Sequence, residues 1–313
     1  MSPLFQTRAR GKLLLTGEYF VLDGATALAM PVRFGQTLRV ETDAEEEGNT
    51  SGHIRWISKN PDGSHWFEAW FELPDLRIKM SSDLKTALTL FKILYACKTQ
   101  NPEIFAGDQA YKVTTQNDFP RDWGLGTSST LIAALAQWVR VDPYKVLLET
   151  LGGSGYDLAC AYAEGPILYR LEGQTPQVEP AHFAPACARQ LYFVFLDQKQ
   201  NSREGIAHYR ERAPKSPALL EKVSQLTRQF TESNTLAELD AVILAHEEFV
   251  SETLMLPRAK DLYFPDYWGE VKSLGAWGGD FVLVTSARPE AETRGYFRDK
   301  GMEVFMGWAE MVA

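Results

Sequence analysis

Residues 123–139, WGLGTSSTLIAALAQWV, constrain this chain more than any other stretch, because a loop of glycines and hydroxyls runs directly into a long apolar helix. Gly124 and Gly126 open backbone dihedrals closed to other residues and let a ligand approach the main chain. Thr127, Ser128 and Ser129 set hydroxyls beside the unpaired N–H groups of a helix start. The helix behind them is apolar on nearly every face, so it belongs inside a core, with its positive end held in one place. From these residues alone two readings stay open: a helix capped by Ser or Thr, or a cradle for a phosphate.

A chain of 313 residues can bury a full core, and two domains are expected, 1–175 and 176–313. The net charge of -9 gives no electrostatic footprint for DNA, RNA or anionic lipid. Cys97, Cys160 and Cys187 are odd in number and widely spaced, which fits neither a disulfide framework nor a paired metal motif and suits a reducing cytoplasm. No apolar run reaches the roughly eighteen residues of a membrane span. The expected partner is a small-molecule substrate, with no nucleic acid and no membrane, for a cytoplasmic monomer or homodimer.

In chain order, residues 10–31, RGKLLLTGEYFVLDGATALAMP, hold two short apolar runs and the turn signal Leu22-Asp23-Gly24, which predict a β-hairpin region. Lys12 stands before LLL as a strand-edge charge, or as a phosphate partner if a phosphate lies near. No GxxxxGK[ST] surrounds it, which excludes a P-loop NTPase. QTLRVET, HIRWIS and HWFEAWFEL alternate as strands of an antiparallel sheet. Ser81 or Ser82 is expected to cap a helix running through Cys97, with Leu84, Leu88, Phe91 and Leu94 or Tyr95 as its apolar stripe. A further strand follows at 111–116.

Asp142-Pro143 predicts a helix start, and Gly152-Gly153 its end. In GSGYDLACAYAEG, Asp157 stands at or near the next helix start, where a first-turn carboxylate stabilised by the dipole is the ordinary reading. After an apolar strand at 191–196 come two long helical segments with Ser and Asn caps. Then SLGAWGGDF repeats the glycine loop in front of a strand, and a helix and the strand MEVFMG close an α+β sandwich. His246, in AHEEFV, lacks the second histidine of an HExxH pair, so it is expected on a solvated helix face and not in a zinc site.

Four of these segments, in this order, resemble the motifs of the GHMP kinases. RGKLLLTGEYFVLDGATALAMP resembles the first motif, FPRDWGLGTSSTLIAALA the glycine-serine ATP loop, GSGYDLACAYAEG the segment of the catalytic Asp, and SLGAWGGDF the third motif. The resemblance is closest to the isoprenoid branch, the mevalonate and phosphomevalonate kinases. Mevalonate kinases usually carry His after the Gly-Glu pair, whereas phosphomevalonate kinases usually carry Tyr, as Gly17-Glu18-Tyr19 does.

The resemblance implies an α+β, two-domain GHMP kinase fold: an N-terminal ATP-binding domain like ribosomal protein S5 domain 2, with a left-handed crossover, a ferredoxin-like C-terminal domain, and an ATP and acceptor cleft between them. It implies ATP and Mg2+ as cofactors. By matching position, Asp157 is the general base and Lys12 its cationic neighbour. Gly124, Leu125, Gly126, Thr127, Ser128 and Ser129 form the phosphate loop, with Ser128 as the Mg-binding hydroxyl. Glu18, Tyr19, Lys199, Ser202, Gly278 and Gly279 are candidate substrate residues.

Where mevalonate kinases place a second Mg-binding Glu this chain has Val146, and Glu149, one helical turn on, is the nearest acid. Trp123 and Trp277 occupy loop positions where the family usually has small residues, either lining the ligand site or filling a gap. Two other readings compete with the kinase: a catalytically inactive family member that binds a ligand or protein, and a diphosphomevalonate decarboxylase.

Overall fold

The computed structural model describes residues 3–43, 52–198, 202–212, 216–275, 277 and 279–313. The chain divides into two compact units, one of Met1–Gly11, Phe34–Arg121 and Gly126–Tyr162, the other of Lys12–Arg33, Asp122–Leu125 and Ala163–Ala313. The strands β1 (Phe5–Leu14) and β2 (Ala27–Thr42) supply residues to both.

In the first unit the second half of β2 lies in a sheet with β3 (His53–Lys59), β4 (His65–Glu72), β5 (Arg77–Ser81) and β6 (Ala110–Asn117), in the order β5-β4-β3-β6-β2. The expected strands are present, but the sheet is mixed where an antiparallel one was expected: β6 pairs β3 in parallel and β2 antiparallel. The cause is the helix α1 (Leu84–Gln100), which carries the chain back across the sheet after β5, the kind of long return that a parallel pair requires.

Asp83 caps α1, accepting the N–H of Thr86 at 2.7 Å, where Ser81 or Ser82 was expected. Its buried face is Ala87, Leu90, Ile93, Leu94, Ala96 and Cys97, while Leu84, Leu88 and Tyr95 of the expected stripe are exposed. Ala87, Leu90, Leu94 and Cys97 follow the three- and four-residue helical spacing as well as the larger residues do, and their smaller members let the helix sit closer to the sheet. Beneath the same sheet lie α2 (Thr127–Val139), α3 (Pro143–Thr150) and α4 (Tyr156–Tyr162), with Ile132, Leu135, Val146 and Leu158 in one core with Val40, Trp56 and Phe71. Asp142 caps α3 as expected, accepting the N–H of Tyr144 at 2.9 Å.

In the second unit the first half of β2 pairs with β7 (Ile167–Glu172), and β7 with β8 (Thr175–Pro180). The remainder runs β9 (Leu191–Phe195), four helices α5 (Ser202–Arg212), α6 (Pro217–Glu232), α7 (Leu236–Leu254) and α8 (Ala259–Tyr263), then β10 (Val271–Ser273), β11 (Phe281–Thr285), α9 (Glu290–Asp299) and β12 (Phe305–Gly307). The sheet order β10-β11-β9-β12, with every pair antiparallel, is the ferredoxin-like arrangement. All five residues of β9 and of β11 are buried, so these central strands read as continuous apolar runs. Thr235 caps α7 in a capping box with Glu238, where an Asn cap was expected. Among the described residues no helix is long and apolar enough to cross a membrane.

Candidate active site

The loop into α2 decides between the two readings of its sequence. The N-cap is Gly126, with φ of 95°, and no side chain caps the helix. The hydroxyls of Ser129 and Thr130 donate back to the Gly126 carbonyl, at 2.9 and 3.1 Å, and Ser128 is exposed, with no hydrogen-bond partner for its hydroxyl among the described residues. The Ser or Thr cap is therefore absent, and the first-turn N–H groups and the Ser128 hydroxyl remain available to an anion and its metal.

Helix α4 packs on α2, with the Tyr162 hydroxyl donating to the Ala133 carbonyl at 2.9 Å. Asp157 lies in its first turn and accepts the N–H of Leu158 at 3.0 Å. Tyr144 on α3, a residue not singled out from the sequence, is pushed up to about 12, by burial first and then by the Asp157 charge. It stays protonated beside that carboxylate. Val146 is fully buried, and Glu149 is exposed on the same helix.

In the second unit the Lys12 ammonium is held by the loop itself, donating to the Gly124 carbonyl at 2.7 Å, while the Lys12 N–H donates to the Leu125 carbonyl at 3.0 Å. A lysine held this way is not a solvated edge charge. Gly124 has φ of +66°, and a Cβ there would collide with the carboxylate of Asp280, so only glycine fits. The Trp123 ring packs against the touching pair Phe195 and Phe281, at centroid distances of 6.3 and 5.7 Å. Asp280 is tied in turn, its carbonyl accepting from the Leu196 N–H at 2.8 Å. Gly279 is buried immediately before it. Lys199 and Gly278 lie outside the described residues, as does the side chain of Ser202, which opens α5.

Glu18 and Tyr19, candidate substrate residues, face the interior. Glu18 is 0% exposed and pairs with Lys272, itself 0% exposed. Lys272 also donates to the Ser273 carbonyl at 3.1 Å and reaches Glu247 at 3.4 Å. His246 and Glu247 are buried in the same cluster, with His246 Nε2 accepting the Gly17 N–H at 3.4 Å. The solvated face expected for His246 is thus corrected. The buried residues of α7 include Leu239, Val242, Ile243, Val250 and Leu254, and positions 246 and 247 fill the gap in that stripe. The apolar spacing was the signal that could have found them.

Burial pushes Glu18 above its ordinary value against the pull of Lys272, and pushes Glu247 to about 7. Burial first, then Lys272, drives His246 well below its ordinary value, so the imidazole is neutral. Trp277 is a core residue, 6% exposed, with its indole N–H donating to the Pro257 carbonyl at 3.0 Å. Among the described residues no group of three or more His, Cys, Asp or Glu is arranged to hold a metal.

No family model and no curated protein matches the sequence. Solved structures do match, over nearly the whole chain. A Streptococcus pneumoniae phosphomevalonate kinase in complex with phosphomevalonate and AMPPNP aligns with a TM-score of 0.70 at 15% identity, covering 97% of this chain and 100% of that one. The L. major mevalonate kinase in complex with R-mevalonate aligns at 0.67 and 16%, covering 98% of each. A Staphylococcus aureus mevalonate diphosphate decarboxylase aligns at 0.60 and 12%, covering 98% and 95%. The chain has the two-domain α+β fold of the GHMP kinases, as seen in mevalonate and phosphomevalonate kinase structures.

Proposed function

We propose that this protein is an ATP-dependent phosphotransferase of the GHMP kinase type, acting on a small mevalonate-pathway acceptor. The observation that carries the reading is the start of α2, where glycine is the cap residue and, among the described residues, no side chain caps the first turn and the Ser128 hydroxyl has no partner. Phosphoryl transfer asks chiefly for positioning and charge neutralisation. Backbone amides of residues 124–129 supply the first part, and Lys12, anchored on the Gly124 carbonyl, supplies a fixed cation.

Asp157 takes the proton of the acceptor hydroxyl as its oxygen attacks the terminal phosphorus of ATP, the bond to the bridging oxygen breaking so that ADP leaves. A lysine ammonium near such a base keeps it ionised at neutral pH and stabilises the developing alkoxide. Mg2+, when present, would supply neutralisation of the charge on the transferring group. Ser128 would hold the ion, with exposed Glu149 as a weaker candidate.

Ser128→Ala tests this assignment cleanly. Since the hydroxyl caps nothing, the thermal midpoint should barely move, a loss below about 0.5 kcal/mol, while the Mg2+ concentration needed for half-maximal turnover rises. A stability loss with unchanged Mg2+ response would return Ser128 to a structural role.

Among acceptors we place phosphomevalonate slightly ahead of mevalonate. The Gly17-Glu18-Tyr19 pattern favours it, and Lys199 and Arg203 carry charge that would neutralise a phosphate on the acceptor. A coupled ADP-release assay against mevalonate, phosphomevalonate, galactose and homoserine decides, followed by Lys199→Ala on the working acceptor. Turnover of mevalonate alone, insensitive to Lys199→Ala, would remove the phosphate contact. Turnover of neither mevalonate compound would remove the branch.

A further inference from the structure

Glu18 pairs, inside a fully buried cluster, with Lys272 of β10, the strand that leads into the third glycine loop, the segment between β10 and β11. In its middle, the Tyr19 hydroxyl accepts the N–H of Trp277 at 2.9 Å. Tyr19 is itself clamped: its ring stacks on Tyr209 of α5 at 5.9 Å, and Gly205 comes so close that a Cβ there would collide with the hydroxyl. At the loop's end the Asp280 carboxylate fills the space beside Gly124, whose carbonyl holds Lys12.

A buried ion pair contributes little net stability compared with well-packed apolar residues, because desolvation offsets the attraction. What it does supply is orientation, since each charge tolerates only a partner at the right place. Two such directional ties hold Lys272 on β10 and the backbone of Trp277 further along.

We propose that Lys272, Glu18 and Tyr19 are positioning residues that fix β10 and Trp277, so that Asp280 braces Gly124 and with it the Lys12 ammonium. The catalytic part of this proposal rests on the kinase reading above; the loop-fixing part does not.

The test compares Tyr19→Phe and the charge-neutral pair Glu18→Gln/Lys272→Met with a control, Thr227→Val. The control removes the buried hydrogen bonds of Thr227 with the nearby Thr16 hydroxyl, 2.8 Å, and with the Thr26 carbonyl, 2.9 Å, which tie α6 to the first motif without touching Lys272 or Trp277. Amide hydrogen exchange of peptides covering 274–281 should speed up by about tenfold in both loop variants and stay unchanged in the control. With a working acceptor, kcat should fall about ten- to a hundredfold, while the KM for ATP stays within about threefold, since a small misplacement costs the chemical step most.

Unchanged exchange in folded Tyr19→Phe overturns the proposal whatever the activity, and so does equal acceleration in Thr227→Val. Faster exchange with wild-type kcat overturns its catalytic part. If the double variant does not fold, Tyr19→Phe alone decides. Should the wild-type protein release ADP with none of the four acceptors, the kinase reading fails, and the exchange arm still judges the loop.

Discussion

Asp157→Asn or Lys12→Met will each lower turnover on the working acceptor by at least about a hundredfold, the usual scale for removing positioned acid-base help. Both side chains are poised by local structure rather than by the core. Asp157 opens α4, and its amide counterpart can still accept the Leu158 N–H through Oδ1, so the helix start is preserved. Lys12→Met removes the donor to the Gly124 carbonyl but keeps the aliphatic stem and the backbone bond to Leu125. Far-UV circular dichroism and a nucleotide titration should therefore be near wild type for both, isolating the loss in kcat. A variant that turns over at a near wild-type rate would show that the chemistry has been assigned to the wrong residue.

Lys272→Met alone should be the most destabilising conservative substitution in the second unit, by about 3–5 kcal/mol, because it strands Glu18 in the interior without its counter-charge. Adding Glu18→Gln should recover most of that loss. The cluster also sets a pH dependence with a definite sign. Glu247 has a folded value of about 7, above its ordinary 4.5, so the folded state favours its protonated form. Its contribution is fully present below the unfolded value and is lost as pH rises through about 7. Glu18 is shifted in the same direction. Below about pH 6.5 the buried, neutral His246 works in the opposite direction, so the fall is read above it: urea midpoints measured from about pH 6.5 to about pH 8 should fall with rising pH, and Glu247→Gln should flatten that fall. A slope unaltered by Glu247→Gln would place the titration elsewhere.

Wherever one short stretch carries the physical cause, the sequence alone was enough. Helix α2 is apolar all round, and it is buried. Asp142-Pro143 starts a helix because an extended cap residue and a pre-set proline dihedral need nothing from the rest of the chain. The glycines at 124 and 126 announce left-handed backbone, and both adopt it. The order of four motifs announced the fold.

Tertiary structure decided the rest, because there the deciding partner is remote. Which face of α1 is buried depended on a sheet that accepts Ala87 and Cys97 in place of Leu84 and Leu88. The parallel pairing of β6 with β3 depended on where α1 returned the chain. At the start of α2 the cap residue is Gly126, and the hydroxyls of Ser129 and Thr130, already inside the helix, bond back to its carbonyl instead of capping an N–H. Glu18 reads locally as a polar residue in a glycine turn; only the arrival of Lys272, 254 positions away, makes its burial tolerable. A charge enters a low-dielectric interior only with its partner, and the code of neighbours along the chain does not carry that partner's address.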